Sequence, residues 1–156
     1  MEIKIKLLER GGARGRMPTR GTEEAAGADL HAFLPEGPLT LMPGQRCAVP
    51  TGAAVELRPG TCAFVMARSG LALREGITMA NGVGLIDSDY RGELKVALVN
   101  TGDRPFEITD GMRIAQLVVM RYEQADFVET AGELSRSARG EGGFGSTGVG
   151  PGEPRK

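Results

Sequence analysis

Residues 80–95, ANGVGLIDSDYRGELK, set turn, strand, turn and strand in close succession. Asn81-Gly82 is a strong hairpin signal, because both residue types tolerate the positive φ of a type I′ turn. The apolar run 83–86 follows, stops at Asp87-Ser88-Asp89-Tyr90, and a second apolar run starts at Glu93. Strands this short, each closed by turn residues, point to an all-β domain.

The same rhythm extends in both directions. The pattern predicts strands at about 3–8, 28–33, 39–42, 46–49, 53–57, 62–66, 77–79, 83–86, 93–99, 106–108 and 113–121. Pro43-Gly44, Pro59-Gly60 and Asp110-Gly111 sit between them and supply turn geometry. One segment reads as helix, SGLALRE (69–75), with Ser69 as N-cap and Gly76 as the stop. Two strands, ELKVALVN (93–100) and RIAQLVVM (113–120), are apolar on both faces, which suggests a second buried surface and subunit association. From Ser135 the apolar content nearly vanishes, so residues 1–134 read as the folded domain and 135–156 as a flexible arm.

Composition narrows the function. A chain of 156 residues is enough for one domain with a core. Nineteen basic against twenty acidic side chains leave a net charge of −1, and there is no Trp, which disfavours binding to nucleic acid. Glycine, at 24 residues, is about double its usual share of roughly 7%, which suits tight turns and backbone placed close to a ligand. Cys47, Cys62 and the single His31 make no recognisable zinc site, and the thiols fit a reducing compartment. MEIKIKLLER alternates charge with Ile3, Ile5 and Leu7, which is a strand and not a signal peptide, and no run reaches membrane-spanning length. A cytoplasmic protein is expected.

Three places carry candidate chemistry. RGEGGFGSTG (139–148) formally contains G-x-G-x-x-G, yet no strand precedes it, no helix follows it, and the Walker pattern fails at Val149. A plain linker has no use for Phe144, however. Arg139, Ser146 and Thr147 offer donors to phosphate, so the arm suits closure over a captured ligand. ARSGLA (67–72) puts Arg68 and Ser69 at a helix start, where N–H groups favour anions; an ordinary capped helix is the competing reading. Asp87, after a buried strand, is suited to orient a water for attack on phosphorus, and Tyr90 offers a flat face to a sugar. A polar turn is the plainer alternative. Asp29 and Gln116, inside strand-like runs, read as satisfied core polar groups.

Taken together the chain resembles the trimeric dUTPases (deoxyuridine triphosphate diphosphatases) of the bacterial type. Five family motifs stand in family order: AAGADLHA (25–32), RSGLA (68–72), ANGVGLIDSDYRGELKV (80–96), GMRIAQLVV (111–119) and RGEGGFGSTG (139–148). The resemblance implies a jelly-roll-like β-barrel, a homotrimer with shared active sites, and Mg²⁺-dependent hydrolysis of dUTP to dUMP and pyrophosphate. That activity limits uracil incorporation into DNA and supplies dUMP for dTMP synthesis.

It also implies residue roles. Asp87 activates the water that attacks the α-phosphorus. Tyr90 packs on deoxyribose and leaves no room for a 2′-hydroxyl. Asn81 and the backbone near Leu85, Ile86 and Lys95 bind uracil. Arg68, Ser69, Gly70 and Gln116 hold the phosphates. Phe144 stacks on uracil, Arg139 meets the γ-phosphate, and Gly145, Ser146 and Thr147 line the phosphate chain. Magnesium is held by phosphates and water, with Asp29 touching it through water at most. The nearest rival is deamination of dCTP on a related fold, but the acid and the arm stand where a dUTPase has them. A nucleotide-binding regulator without turnover would leave Asp87 unused.

Overall fold

The computed structural model describes residues 2–143. In chain order its strands are β1 Lys4–Leu7, β2 Glu9–Arg10, β3 Ala13–Arg14, β4 Ala28–His31, β5 Leu39–Leu41, β6 Arg46–Glu56 and β7 Thr61–Ala67. The helix α1, Ser69–Glu75, comes next. It is followed by β8 Ile77–Met79, β9 Gly84–Ile86, β10 Glu93–Asn100, β11 Phe106–Ile108 and β12 Arg113–Arg121. Two four-stranded sheets, ordered β1-β6-β10-β8 and β4-β12-β7-β9, are joined by the ribbons β11-β5 and β2-β3. All strand pairs are antiparallel among the described residues.

Alternation explains the core. In β10, Leu94, Val96 and Leu98 are buried while Lys95 is exposed, the period of two that a pleated strand imposes. These side chains share one buried cluster with Leu30, Val65, Ala115 and Leu117 of the other sheet, so the sheets face each other. Each fully buried Leu, Ile or Val stabilises the fold by about 1.5–3 kcal/mol. The fold is jelly-roll-like, and its ladders stay in two separate sheets without closing into a continuous barrel.

Several sequence expectations need correction. The break predicted between 49 and 53 does not exist, because β6 runs through Pro50. Between Pro50 and Ala54 it bulges against Glu93–Lys95 of β10, which lets the strand absorb Thr51 and Gly52 without ending. Asn81-Gly82 does not close a hairpin: β8 pairs with β10 and β9 with β7, so the turn crosses from one sheet to the other. Arg68, not Ser69, is the N-cap of α1, and no side chain caps it; Gly76 does end the helix, at φ 68. The small β2-β3 ribbon escapes a reading by periodicity because each strand has only two residues.

All the strands and the helix found among the described residues lie in one compact unit that runs to Gln124; a second unit begins at Ala125. No helix among the described residues is long and apolar enough to cross a membrane.

Candidate active site

Because β8 and β9 belong to different sheets, β9 and β10 part company. β9 pairs only with β7, and β10 pairs with β8 only at Leu98–Asn100. Away from β6, the edge of β10 before Ala97 therefore has no strand partner among the described residues. Its N–H and C=O groups need partners, as all backbone polar groups do once water is excluded. A hollow of about 250 Å³ occupies the gap, lined by Leu85, Ile86, Asp87, Tyr90, Glu93, Leu94 and Lys95. Asn81 lies beside the first residue of β9: a Cβ on Gly84 would lie 3.6 Å from the Asn81 Nδ2. The turn after β9 closes one end, with the Tyr90 N–H on the Asp87 carbonyl at 3.2 Å. Arg91 Nη1 staples that turn through the Ser88 and Tyr90 carbonyls at 2.7 and 3.0 Å. Asp87 is exposed at the rim. Five sequence-selected residues thus border one cavity, with a sixth beside it.

A second cluster forms around Asp29, which is 4% exposed. Arg68 Nε donates to its Oδ1 at 3.1 Å, Gln116 Nε2 to the same oxygen at 3.4 Å, and Arg113 Nη1 to Oδ2 at 3.3 Å. A buried carboxylate persists only when paired, so the reading of Asp29 as a satisfied polar group holds. Two guanidinium groups against one carboxylate leave an excess positive charge, the right sign for a polyphosphate. Arg68 is further fixed through Nη1 on the Arg113 carbonyl at 3.2 Å. Ser69 and Gly70 open α1 immediately beyond it. His31 borders the cluster opposite Arg113. Burial pushes its imidazole below the ordinary range; Asp29 opposes that, while Arg16, Arg113 and Arg68 reinforce it.

Arg113 and Glu93 were given no role by the sequence. Arg113 and Gln116 are three apart, which in a regular strand points them to opposite faces. A bulge between Arg113 and Ala115 shifts the register by one and brings both to Asp29. Nothing in the spacing announces that bulge. Glu93 reads as a surface charge at a strand start, yet its side chain is only 8% exposed.

The two clusters do not meet within one chain. Ile86 lies opposite Ala63 near the start of β7, whereas Arg68 follows Ala67 at its end. Five residues of strand separate the two positions, on the order of 15 Å. Arg68 also leans the other way, across β12 toward β4. In the second unit, Arg139 Nε donates to the Gly142 carbonyl at 2.9 Å. The positions Phe144, Gly145, Ser146 and Thr147 lie outside the described residues. Three larger surface hollows, one lined by Arg74, Glu75 and Phe106, one by Phe33, Pro35 and Leu39 and one by Lys4, Val55 and Arg91, contain none of the sequence-selected residues.

A family model described as dUTPase matches residues 13–148. A deoxyuridine 5′-triphosphate nucleotidohydrolase of Roseobacter denitrificans is 49% identical over 148 residues, covering 95% of this chain and 97% of that one. The Staphylococcus bacteriophage 80alpha dUTPase with dUpNHpp is similar at a TM-score of 0.84 and 26% identity, covering 95% of this chain and 99% of the phage chain. A dUTPase mutant from phage phi11 of S. aureus, described with a structural Mg(II) ion, shares the fold at a TM-score of 0.73 and 20% identity, over 85% of this chain and 98% of that one. With a dUTPase family model over residues 13–148 and a relative 49% identical along nearly the whole of both chains, the chain belongs to the dUTPase family.

Proposed function

We propose that the protein hydrolyses dUTP to dUMP and pyrophosphate by attack of water at the α-phosphorus. One observation carries this: the gap between β9 and β10 combines an unpaired strand edge, an aromatic ring and an exposed carboxylate. The edge suits a planar base with its own donors and acceptors, and Asn81 and the backbone of Leu85, Ile86 and Lys95 would bind uracil there. Tyr90 packs on the deoxyribose. Asp87 accepts the proton as the water oxygen bonds to the α-phosphorus, and the bond from that phosphorus to the bridging oxygen breaks.

Arg68, Ser69, Gly70 and Gln116 hold the phosphates. Within one chain they stand too far from Asp87 to serve the same phosphorus, since a general base works within about 3 Å of its proton. This supports a homotrimer in which the Asp87 of one copy meets the Arg68 of another. The outer face of β12 supports it too: Val118 is half-buried and Met120 is 48% exposed, beside Phe64 and Met66 of β7. Arg139, Phe144, Gly145, Ser146 and Thr147 would close over the bound nucleotide. Ordering about ten residues costs on the order of 10 kcal/mol of backbone entropy, so closure needs ligand contacts.

The donor set fits magnesium as an ion carried by the substrate. Both oxygens of Asp29 are already engaged, and no group of three or more His, Cys, Asp or Glu among the described residues is placed to hold a metal. Such an ion, held by the phosphates and water, would supply positive charge against that developing on pyrophosphate. Free Cys47 and Cys62 suit a cytoplasmic setting.

A product assay across dUTP, dTTP, dCTP and UTP tests the reading. Pyrophosphate release from dUTP, with the others poor, is expected; ammonia from dCTP would replace hydrolysis with deamination.

A further inference from the structure

The ring of Tyr90 is held from two sides, although 43% of the residue is exposed. Its hydroxyl donates to the Glu93 carbonyl at 3.0 Å. Its ring folds back over Gly92, where a Cβ would stand 2.5 Å from Cζ and 2.9 Å from Cε2. A ring carbon cannot yield that much without the whole side chain turning away, so only glycine at 92 leaves Tyr90 where it is.

The carbonyl that receives the hydroxyl is itself immobilised. Glu93 Oε1 accepts the Gly52 N–H at 2.8 Å, and Oε2 pairs with Arg10. Arg10 in turn lies 5.6 Å from the centroid of the Phe33 ring, a cation–π contact. One residue further on, Thr51 Oγ1 donates to the Leu94 carbonyl at 2.7 Å. The bonds from the Gly52 N–H and the Thr51 hydroxyl tie the start of β10 to the Thr51-Gly52 bulge, and Arg10 backs the Glu93 carboxylate from the other side. No step of the hydrolysis uses the Glu93 carboxylate, and a buried charge without a task in the chemistry calls for another reason to be there.

We propose that Gly92 and Glu93 are positioning residues that set the choice between deoxyribose and ribose triphosphates, by denying the Tyr90 ring any route of retreat. This deepens the proposed function and rests on its placement of Tyr90 against the sugar. A ring excludes a 2′-hydroxyl only as firmly as it is fixed. A tyrosine on a free turn would swing outward and admit the extra oxygen; one seated on the bare Cα of Gly92 and bonded to an anchored carbonyl does not. Apolar pockets discriminate weakly against an added hydroxyl, so rigidity at this point is where selectivity is gained or lost.

The test is the ratio of kcat/KM for dUTP to that for UTP, read on the unsubstituted chain, Gly92→Ala, Glu93→Ala and Glu93→Gln, with thermal melting alongside. Gly92→Ala and Glu93→Ala are expected to lower the ratio about tenfold or more, mainly through faster use of UTP. Glu93→Gln, which keeps an oxygen for the Gly52 N–H, retains more of it. A folded Gly92→Ala or Glu93→Ala with the unsubstituted ratio overturns the proposal. Where either variant fails to melt cooperatively, Tyr90→Phe takes its place, because it removes only the anchored hydroxyl; an unchanged ratio there overturns the proposal equally. Absence of dUTP turnover by the unsubstituted chain would sink the hydrolase reading instead, so the two failures are distinguishable.

Discussion

Arg68 and Asp29 meet at 3.1 Å across the strand that separates them, for β12 lies between β4 and β7. The guanidinium is thereby held in one direction by the protein itself. Asp29→Asn keeps the shape and removes the charge. Two effects then oppose each other: greater net positive charge favours a triphosphate, while Arg68 and Arg113 lose their orientation. Exposed charge is screened within about 8 Å at physiological salt, so orientation should win, and KM for dUTP should rise severalfold. Stability should fall by about 1–3 kcal/mol, discounted for the partial exposure of both arginines. Steady-state kinetics at two salt concentrations and thermal melting check both effects.

Asp87 is the next test. Asp87→Asn preserves size and leaves the hollow intact, but the amide cannot take a proton from water. Turnover should drop about 10²–10⁴-fold, while affinity for dUpNHpp, measured by calorimetry, stays within about tenfold. Near-normal turnover would remove Asp87 from the reaction.

How much of this was legible beforehand depends on whether local pattern or long-range pairing decides the feature. β10 was readable as a strand from its apolar run bounded by turns. The face that meets the core, with Leu94, Val96 and Leu98 buried, emerges only in the structure because the run is apolar on both faces. Asp87 and Tyr90 were readable as the polar turn that closes an apolar run. That run is not the buried strand the sequence suggests: Leu85 is 58% exposed and Ile86 half-buried, because β9 faces the open gap. Pairing is another matter. Asn81-Gly82 has hairpin chemistry, yet its flanking strands bind different partners, which opens the gap that holds the candidate site. The convergence of Arg113 and Gln116 on Asp29 needs a bulge whose extra residue, Ile114, looks like any other strand residue. Glu93 is buried by Arg10 and Gly52, both remote in sequence. Tertiary partners made these features, and no window of neighbouring residues contains them.

The bulge in β6 gives a stability prediction with an internal control. Gly52 has φ 65, and a Cβ there would stand 2.6 Å from Phe33 Cδ1 and 2.7 Å from Gly15 Cα. Backbone cannot swing aside as a side chain does. Gly60 has a similar φ, 77, with nothing within 4 Å. Gly60→Ala should therefore cost about 1 kcal/mol from the backbone conformation alone, and Gly52→Ala about 3 kcal/mol or more because overpacking is added. Denaturant melts of the two variants separate the terms; equal losses would mean that the space around Gly52 opens freely.

The last prediction concerns acid. Burial holds the His31 imidazole below its ordinary value of 6.5 and outweighs the attraction of Asp29. The unfolded chain therefore takes up a proton that the folded chain refuses. Stability from this source is complete above about pH 6.5 and declines as the pH falls below that value toward the lower, folded pKa. Asp110 acts in a lower window: its carboxyl is held below the ordinary 3.8 chiefly by its hydrogen bond from Arg16, so its contribution is present above that value and is lost as the pH falls through the folded pKa. Melting temperature should therefore slope downward from pH 7 to pH 5, before the Asp110 window is reached. His31→Gln, which cannot titrate, should flatten that slope and leave the steeper acid limb below pH 4 in place. The His31 Nδ1 is buried without a partner, so substitution there removes no hydrogen bond from that atom. A slope unchanged by the substitution would assign the decline to other groups.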